Sequence, residues 1–282
     1  MRNVITIGCL AALLMLFANS CSTNQGSKQN QVRKKTDYKV IEPEAIDLGL
    51  SVKWGNFFLG QESPDDIYEN DMILFPNCFL YQWGNLQPDV AVRDVYYSDD
   101  NMLLLKVDYE QPENRFWETN RKDKDGFDLP NRWTKYTKED GKKVLDLCDD
   151  AAHVALGGKW RMPTEEEANE LLRKCSWEIV TKNNIQYWRC TGPNGNKIYF
   201  ARANEYSRFM GLEGPVLQFH NERPFQVEMG FATSTVDIYK DTYKDFEGNY
   251  IRNHCKSVIL FNVKLVTGGR RTLYPILPVQ DK

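Results

Sequence analysis

Apolar and polar positions alternate in short, irregular runs along most of this chain, and two stretches break that pattern. Val4 to Phe17 is mainly apolar, whereas from Thr164 to Cys175 apolar residues recur at helical spacing. In the second stretch Ala168, Leu171, Leu172 and Cys175 fall on one face, as a 3.6-residue period requires. Thr164 followed by Glu167 is a capping-box pair, and Glu165 and Glu166 complement the positive end of the helix dipole. A shorter helix is predicted just upstream, through Ala151, Ala152 and Val154. Asp146 is read as its N-cap, Asp149 as its N3 residue, and Gly157-Gly158 as its stop.

The remaining apolar runs are strand-like. Ile46 to Phe58 is punctuated by glycine and predicts short strands. Gln186 to Thr191 and Ile198 to Ala201 flank Gly192-Pro-Asn-Gly-Asn196, a hairpin signal. Ser257 to Val266 and Leu273 to Val279 read as closing strands. Residues 61–143 are largely polar, with apolar islands at Ile73 to Trp83 and Met102 to Val107, and are read as an insertion. Two helices with several short strands in this order predict an α+β domain over residues 41–282.

The N-terminal run changes the picture from fold to address. Arg2 supplies a positive start, the apolar segment follows, and Ala18, Asn19 and Ser20 lead into Cys21. This is the layout of a secretory signal, and the run is shorter than the ~20 residues a spanning helix needs. Small residues directly before a cysteine resemble a lipobox, with Ala18 where Leu is usual, as in the looser Bacteroidetes type. Residues 1–20 are thus read as a lipoprotein signal peptide and Cys21 as the lipid acceptor, a stable anchor when diacylated. An ordinary secretory signal with an incidental cysteine is the competing reading. Residues 21–40 form a polar tether, since their composition cannot offset ordering entropy. The expected location is the cell envelope, on a membrane such as the outer membrane, with the periplasmic or surface face left open.

Composition then narrows the function classes. Net charge is −3, which supplies no basic field for nucleic acid. Seven Trp, 14 Tyr and 14 Phe provide for a substantial core. Seven cysteines are present; Cys9 leaves with the signal and Cys21 is the proposed acceptor, so Cys78, Cys148, Cys175, Cys190 and Cys255 are left, with their pairing open. None of them is spaced C-x-x-C and the chain has three His, which argues against a zinc site. No cofactor is expected.

Three stretches together resemble the Fibrobacter succinogenes major paralogous domain and its Bacteroidetes relatives. They are Asp47-Leu-Gly-Leu-Ser-Val-Lys-Trp54, the run from Val144 through Thr164 to Leu172, and, loosely, Val263 to Val279. The resemblance implies a C-type-lectin-like fold, with two helices, a small mixed sheet, and N- and C-terminal strands side by side. Gly230-Phe-Ala-Thr-Ser-Thr235 stands where the family carries a Trp-Ser-Ser run, and Leu277-Pro278-Val279 where it ends on Arg-Pro-Val.

Several constellations could carry chemistry. Asp149, Asp150 and His153 sit at helical spacing and could chelate a metal, but capping and packing at a helix start is the preferred reading. Asp123-Lys-Asp-Gly-Phe-Asp128 echoes a calcium loop, yet Arg121 and Arg132 occupy positions that need carboxylates. Gln87-Pro88-Asp89 matches a lectin tripeptide at the wrong place for that fold. An enzyme of formylglycine-generating type would need a late cysteine pair, and Cys255 stands alone in the final third. The chain is therefore read as a non-enzymatic binding module for an unknown protein or glycan. The alternative is a structural subunit of an envelope complex. The candidate recognition residues are Tyr239, Tyr243, Phe246 and Tyr250, aromatics alternating with charges. In the competing reading they cover the core, or Tyr239, Tyr243 and Phe246 form one face of a short helix.

Overall fold

The capping box at Thr164 is the firmest of these local signals, and its geometry explains why. In a computed structural model of the chain, Thr164 Oγ1 accepts from the Glu167 amide at 3.3 Å, and Glu167 Oε2 accepts from the Thr164 amide at 2.8 Å. Both are otherwise orphan donors of a helix start. The helix that follows, α2 (Glu165–Lys174), buries Ala168 and Leu171. Glu167 also holds Arg161 by two bonds of 2.8 and 2.6 Å, and Arg161 reaches Asp281 at 2.7 Å.

The structure describes residues 39–69, 74–92, 96–97, 103–104, 114–129, 131–202, 217–219, 222–225, 230–237, 243–244, 250–251, 254–260 and 263–282. These belong to one unit, residues 37–282. The signal segment, Cys21 and nearly all of the tether lie outside the described residues.

The upstream helix starts later than expected. Asp146 precedes a single 3-10 turn, Leu147–Asp149, and makes no side-chain cap bond. The cap of α1 (Ala151–Leu156) is Asp150, whose Oδ1 accepts from the His153 amide at 3.0 Å. Its other oxygen accepts from the Met162 amide at 2.8 Å and so ties α1 to the strand Trp160–Arg161. Three aspartates in five residues offered several cap registers, and the one that also satisfies a buried strand amide is adopted. Gly157 ends α1 with φ +69°, a conformation that favours glycine.

The fold class differs from expectation. Among the described residues, strands in several small antiparallel sheets predominate over two α-helices. It is mainly β, not an α+β C-type-lectin-like domain. Many strands are two or three residues long, too short to leave a period in sequence. Ser257 to Val266 is likewise two strands, His254–Ile259 and Lys264–Gly269, paired as a hairpin. Leu273 to Val279 splits as well: Leu273–Tyr274 pairs with Tyr81–Gln82, and Val279–Gln280 joins another sheet.

That other sheet has the order 45–46, 53–55, 279–280, 160–161. The Val279–Gln280 strand therefore sits between the earliest described strands and the strand leading to α2, with Trp54 opposite Val279 and Trp160 opposite Gln280. Ser51 bonds Glu170 of α2 through both its amide (2.9 Å) and its hydroxyl (2.5 Å). Residues from the start, middle and end of the described domain thus meet in one place.

Two apolar cores flank the strand Phe79–Gln82. Successive strand residues point to opposite faces, and here both faces are dry. Leu80 joins the core of Trp54, Ala168, Leu171, Cys190 and Phe200. Phe79 and Tyr81 join the core of Trp83, Trp117, Trp133, Tyr136 and Tyr274. The Leu273–Tyr274 strand divides in the same way, Leu273 to the first core and Tyr274 to the second. The segment read as an insertion hence supplies the wall between the cores.

A three-stranded sheet, Ser176–Lys182, Ile185–Thr191 and Lys197–Ala201, closes the first core. The predicted hairpin is its second half. At its turn Gly192 is obligatory, because a Cβ there would stand 2.1 Å from the Leu48 carbonyl oxygen. The first half turns at Asn183-Asn184, both left-handed with φ of 53° and 65°, as a two-residue hairpin turn requires.

Candidate interaction surface

Residues 114–134 build a two-stranded ribbon with an anchored base and an open tip. Asn114 is buried and fixes the entry: its side-chain amide donates to the Trp83 carbonyl at 2.8 Å, and its side-chain oxygen accepts from the Phe116 amide at 3.0 Å. Trp117 then faces Trp133 across the ribbon, ring centroids 5.0 Å apart. Further out, Arg121 pairs with Leu129 and Lys122 with Asp128. At the end, Asp123 Oδ1 accepts from the amides of Asp125 and Phe127, both at 2.9 Å, and the Asp123 amide donates to the Phe127 carbonyl at 2.9 Å. The stretch with a calcium-loop echo is thus a tight turn organised by one aspartate. Gly126, with φ +87°, lets it close.

This turn holds the backbone of Phe127 while leaving the residue 71% exposed, the most exposed of the large apolar residues described. Charges flank it. Lys122 pairs with Asp128 at 2.6 Å, and Arg132 with Glu118 at 2.7 Å. These exposed pairs contribute little stability, but they favour the paired strands over alternative registers.

The base is held from below by Arg270. Its guanidinium lies 3.8 Å from the Trp133 ring centroid and 4.5 Å from that of Trp83. It donates to the carbonyls of Lys135 (3.1 Å) and Tyr136 (3.2 Å) and is 1% exposed. Burial pushes its pKa down to about 9, so it stays charged at neutral pH, stabilised by carbonyl dipoles and indole faces. Beside it, buried Asp149 accepts from the Tyr136 hydroxyl at 2.6 Å and from Arg115 at 3.0 Å, and also from Lys135. Burial raises the Tyr136 pKa, and its bond to Asp149 raises it further.

The residues singled out as possible metal ligands therefore point to different protein partners. Asp149 serves the ribbon base, Asp150 caps α1, and His153 Nδ1 lies 3.0 Å from the Trp160 carbonyl oxygen. Asp89 of the lectin-like tripeptide accepts from the Gln82 amide at 2.6 Å and from Asn85 at 2.9 Å, bracing a turn. Cys255 is buried in the second core with its Sγ 3.7 Å from the Gly269 carbonyl oxygen.

Of the expected recognition residues, Tyr239 and Phe246 lie outside the described residues. Tyr243–Lys244 pairs with Tyr250–Ile251 as a short antiparallel ladder. The segment is thus extended at Tyr243, which corrects the short-helix alternative there. Phe127 was missed because its surroundings looked like a polar insertion; the usable signal was the Asp-Lys-Asp-Gly-Phe turn between Trp117 and Trp133. No family model, no curated protein and no solved structure matches this chain.

Proposed function

We propose that this chain is a cell-envelope lipoprotein, anchored through acylated Cys21, whose domain binds a protein or glycan partner through the ribbon of residues 117–133. The observation that carries this reading is Phe127: an aromatic residue 71% exposed, presented by a turn whose backbone is already fixed. Preorganisation lowers the ordering cost of binding, and buried aromatic anchors supply much of its energy. Burying one such ring is worth roughly 2 kcal/mol. In this reading the polar composition of residues 21–40 suits a tether between membrane and domain, and the signal and Cys21 give the address.

The test places a photo-crosslinking amino acid at position 127 in cells, with position 182 as an exposed control. A recurrent protein adduct from 127 and none from 182 supports a protein partner. Binding of the purified protein to a glycan array, lost in Phe127→Asp, supports a sugar. If neither assay distinguishes position 127, the ribbon is not the recognition surface. The anchor is tested separately: Cys21→Ala abolishes incorporation of a clickable fatty acid, and persistent labelling of that variant sinks the lipidation reading.

A further inference from the structure

Cys175 and Cys190 come from different elements and meet inside the first core. Cys175 is the C-cap of α2, and its backbone is already extended, with φ −93° and ψ 149°. One residue later the chain enters the strand Ser176–Lys182, in which Ser176 pairs with Thr191 and Trp177 with Cys190. This register brings the end of the helix back over the strand that carries Cys190. Both cysteines belong to the same apolar cluster with Ala168, Leu171, Ile198 and Phe200. The structure holds both as free thiols, each close enough to the other to perturb its titration. Cys175 is 9% exposed and Cys190 0%.

We infer that Cys175 and Cys190 form a disulfide that staples the C-terminus of α2 to the middle strand of the 176–201 sheet. The compartment rests on the export reading above; the pairing rests on the strand register and on the apolar cluster that the two cysteines share. The oxidant is a dithiol–disulfide catalyst or a small-molecule disulfide, which an oxidising compartment supplies. The Cys175 thiolate attacks one sulfur of that disulfide, forming a mixed disulfide and releasing one thiolate. Cys190, losing its proton to water, then attacks the Cys175 sulfur and releases the second. Two protein thiols are oxidised and one external disulfide is reduced to two thiols. The direction of attack follows from position: Cys175 has the residual access, and the neighbouring Cys190 thiol lowers its pKa, whereas the Cys175 thiol and then burial raise that of Cys190.

The bridge would close a loop of about 15 residues, and its loss is expected to lower the melting temperature by roughly 6–12 °C in a domain of this size. The experiment equilibrates purified full-length protein in oxidised and reduced glutathione, alkylates free thiols, and maps peptides without reduction. A 175–190 linked peptide supports the inference. Free thiols at both positions across the redox range, or linkage of either to another cysteine, overturns it. Cys175→Ala should lack the reductant-sensitive shift in melting temperature; if that variant does not fold, the wild-type redox titration alone decides. The same mapping on protein taken from cells separates the two readings. A pair that links in glutathione buffer but is reduced in cells keeps the pairing and removes the export assignment.

Discussion

Replacing Asp150 with alanine should cost about 3 kcal/mol, and replacing Asp146 should cost under about 1 kcal/mol. The contrast follows from where the two carboxylates go. Asp150 is 2% exposed and uses both oxygens: one caps α1 at the His153 amide, the other holds the Met162 amide. Losing an aspartate N-cap typically costs about 1 kcal/mol. Leaving the amide of Met162, itself 2% exposed, without a partner adds on the order of 1–3 kcal/mol. Asp146 instead makes an exposed pair with Lys142 at 2.6 Å and no cap bond, so its loss is worth roughly 0–1 kcal/mol. The assay is urea unfolding of both variants and the parent at pH 7, followed by tryptophan fluorescence, with midpoints compared at equal slope. Asp150→Asn should fall between, because its single side-chain oxygen can serve one backbone amide and its nitrogen only donates. Equal losses for Asp146→Ala and Asp150→Ala, or an Asp150→Ala loss below about 1 kcal/mol, would refute the assignment of cap and strand tie to Asp150.

Other outcomes are accessible with the same protein. Trp160 is 2% exposed, and its indole N–H donates to Glu42 at 2.7 Å, so Trp160→Ala should cost roughly 3–5 kcal/mol, and efficient acrylamide quenching at that position would contradict its burial. Burial raises the Glu170 carboxyl, but bonds from Lys174 and from the Ser51 hydroxyl and amide outweigh it and bring its pKa from 4.5 to about 2. A depressed acid contributes stability above its unfolded pKa and loses it as pH falls through the folded one. The advantage of the parent over Glu170→Gln, at most about 3 kcal/mol near pH 6, should therefore shrink between pH 5 and pH 2, and a constant difference would count against it. Finally, Tyr239→Ala with Tyr243→Ala should abolish partner binding with the melting temperature nearly unchanged if that aromatic segment adds to recognition; a lower melting temperature with binding intact assigns it to the core.

Legibility in the sequence followed the reach of each interaction. Thr164 and Glu167 signal each other across three residues, and the box forms as read. The Ile185–Thr191 and Lys197–Ala201 hairpin was visible for the same reason. Asp150 could not be chosen over Asp146 without knowing that the Met162 amide needs an acceptor. The wall strand Phe79–Gln82 looked like an island in an insertion, because both of its faces are covered by segments remote in sequence. The α+β reading failed on similar grounds: two-residue strands such as Arg132–Trp133 are defined by their partner, not by a period of their own. Phe127 carried a turn signature, but exposure is a property of what does not pack around it, and sequence does not display that.

The sheet in which Val279 faces Trp54 also sets a timetable. Its partners are separated by more than two hundred residues, so joining them closes a very long loop, at an entropic cost of about 5 kcal/mol before any contact is gained. Nothing shorter can substitute, because the Val279–Gln280 strand hydrogen-bonds on both sides, to 53–55 and to 160–161. A chain that crosses a membrane unfolded would hold Trp54 and Trp160 unpaired until residue 280 arrives. High sequence separation slows folding, and meanwhile the exposed strand edges can pair with other chains. The turn at Asn183-Asn184 is local and can close within that interval, so the four-stranded sheet is expected to form after it.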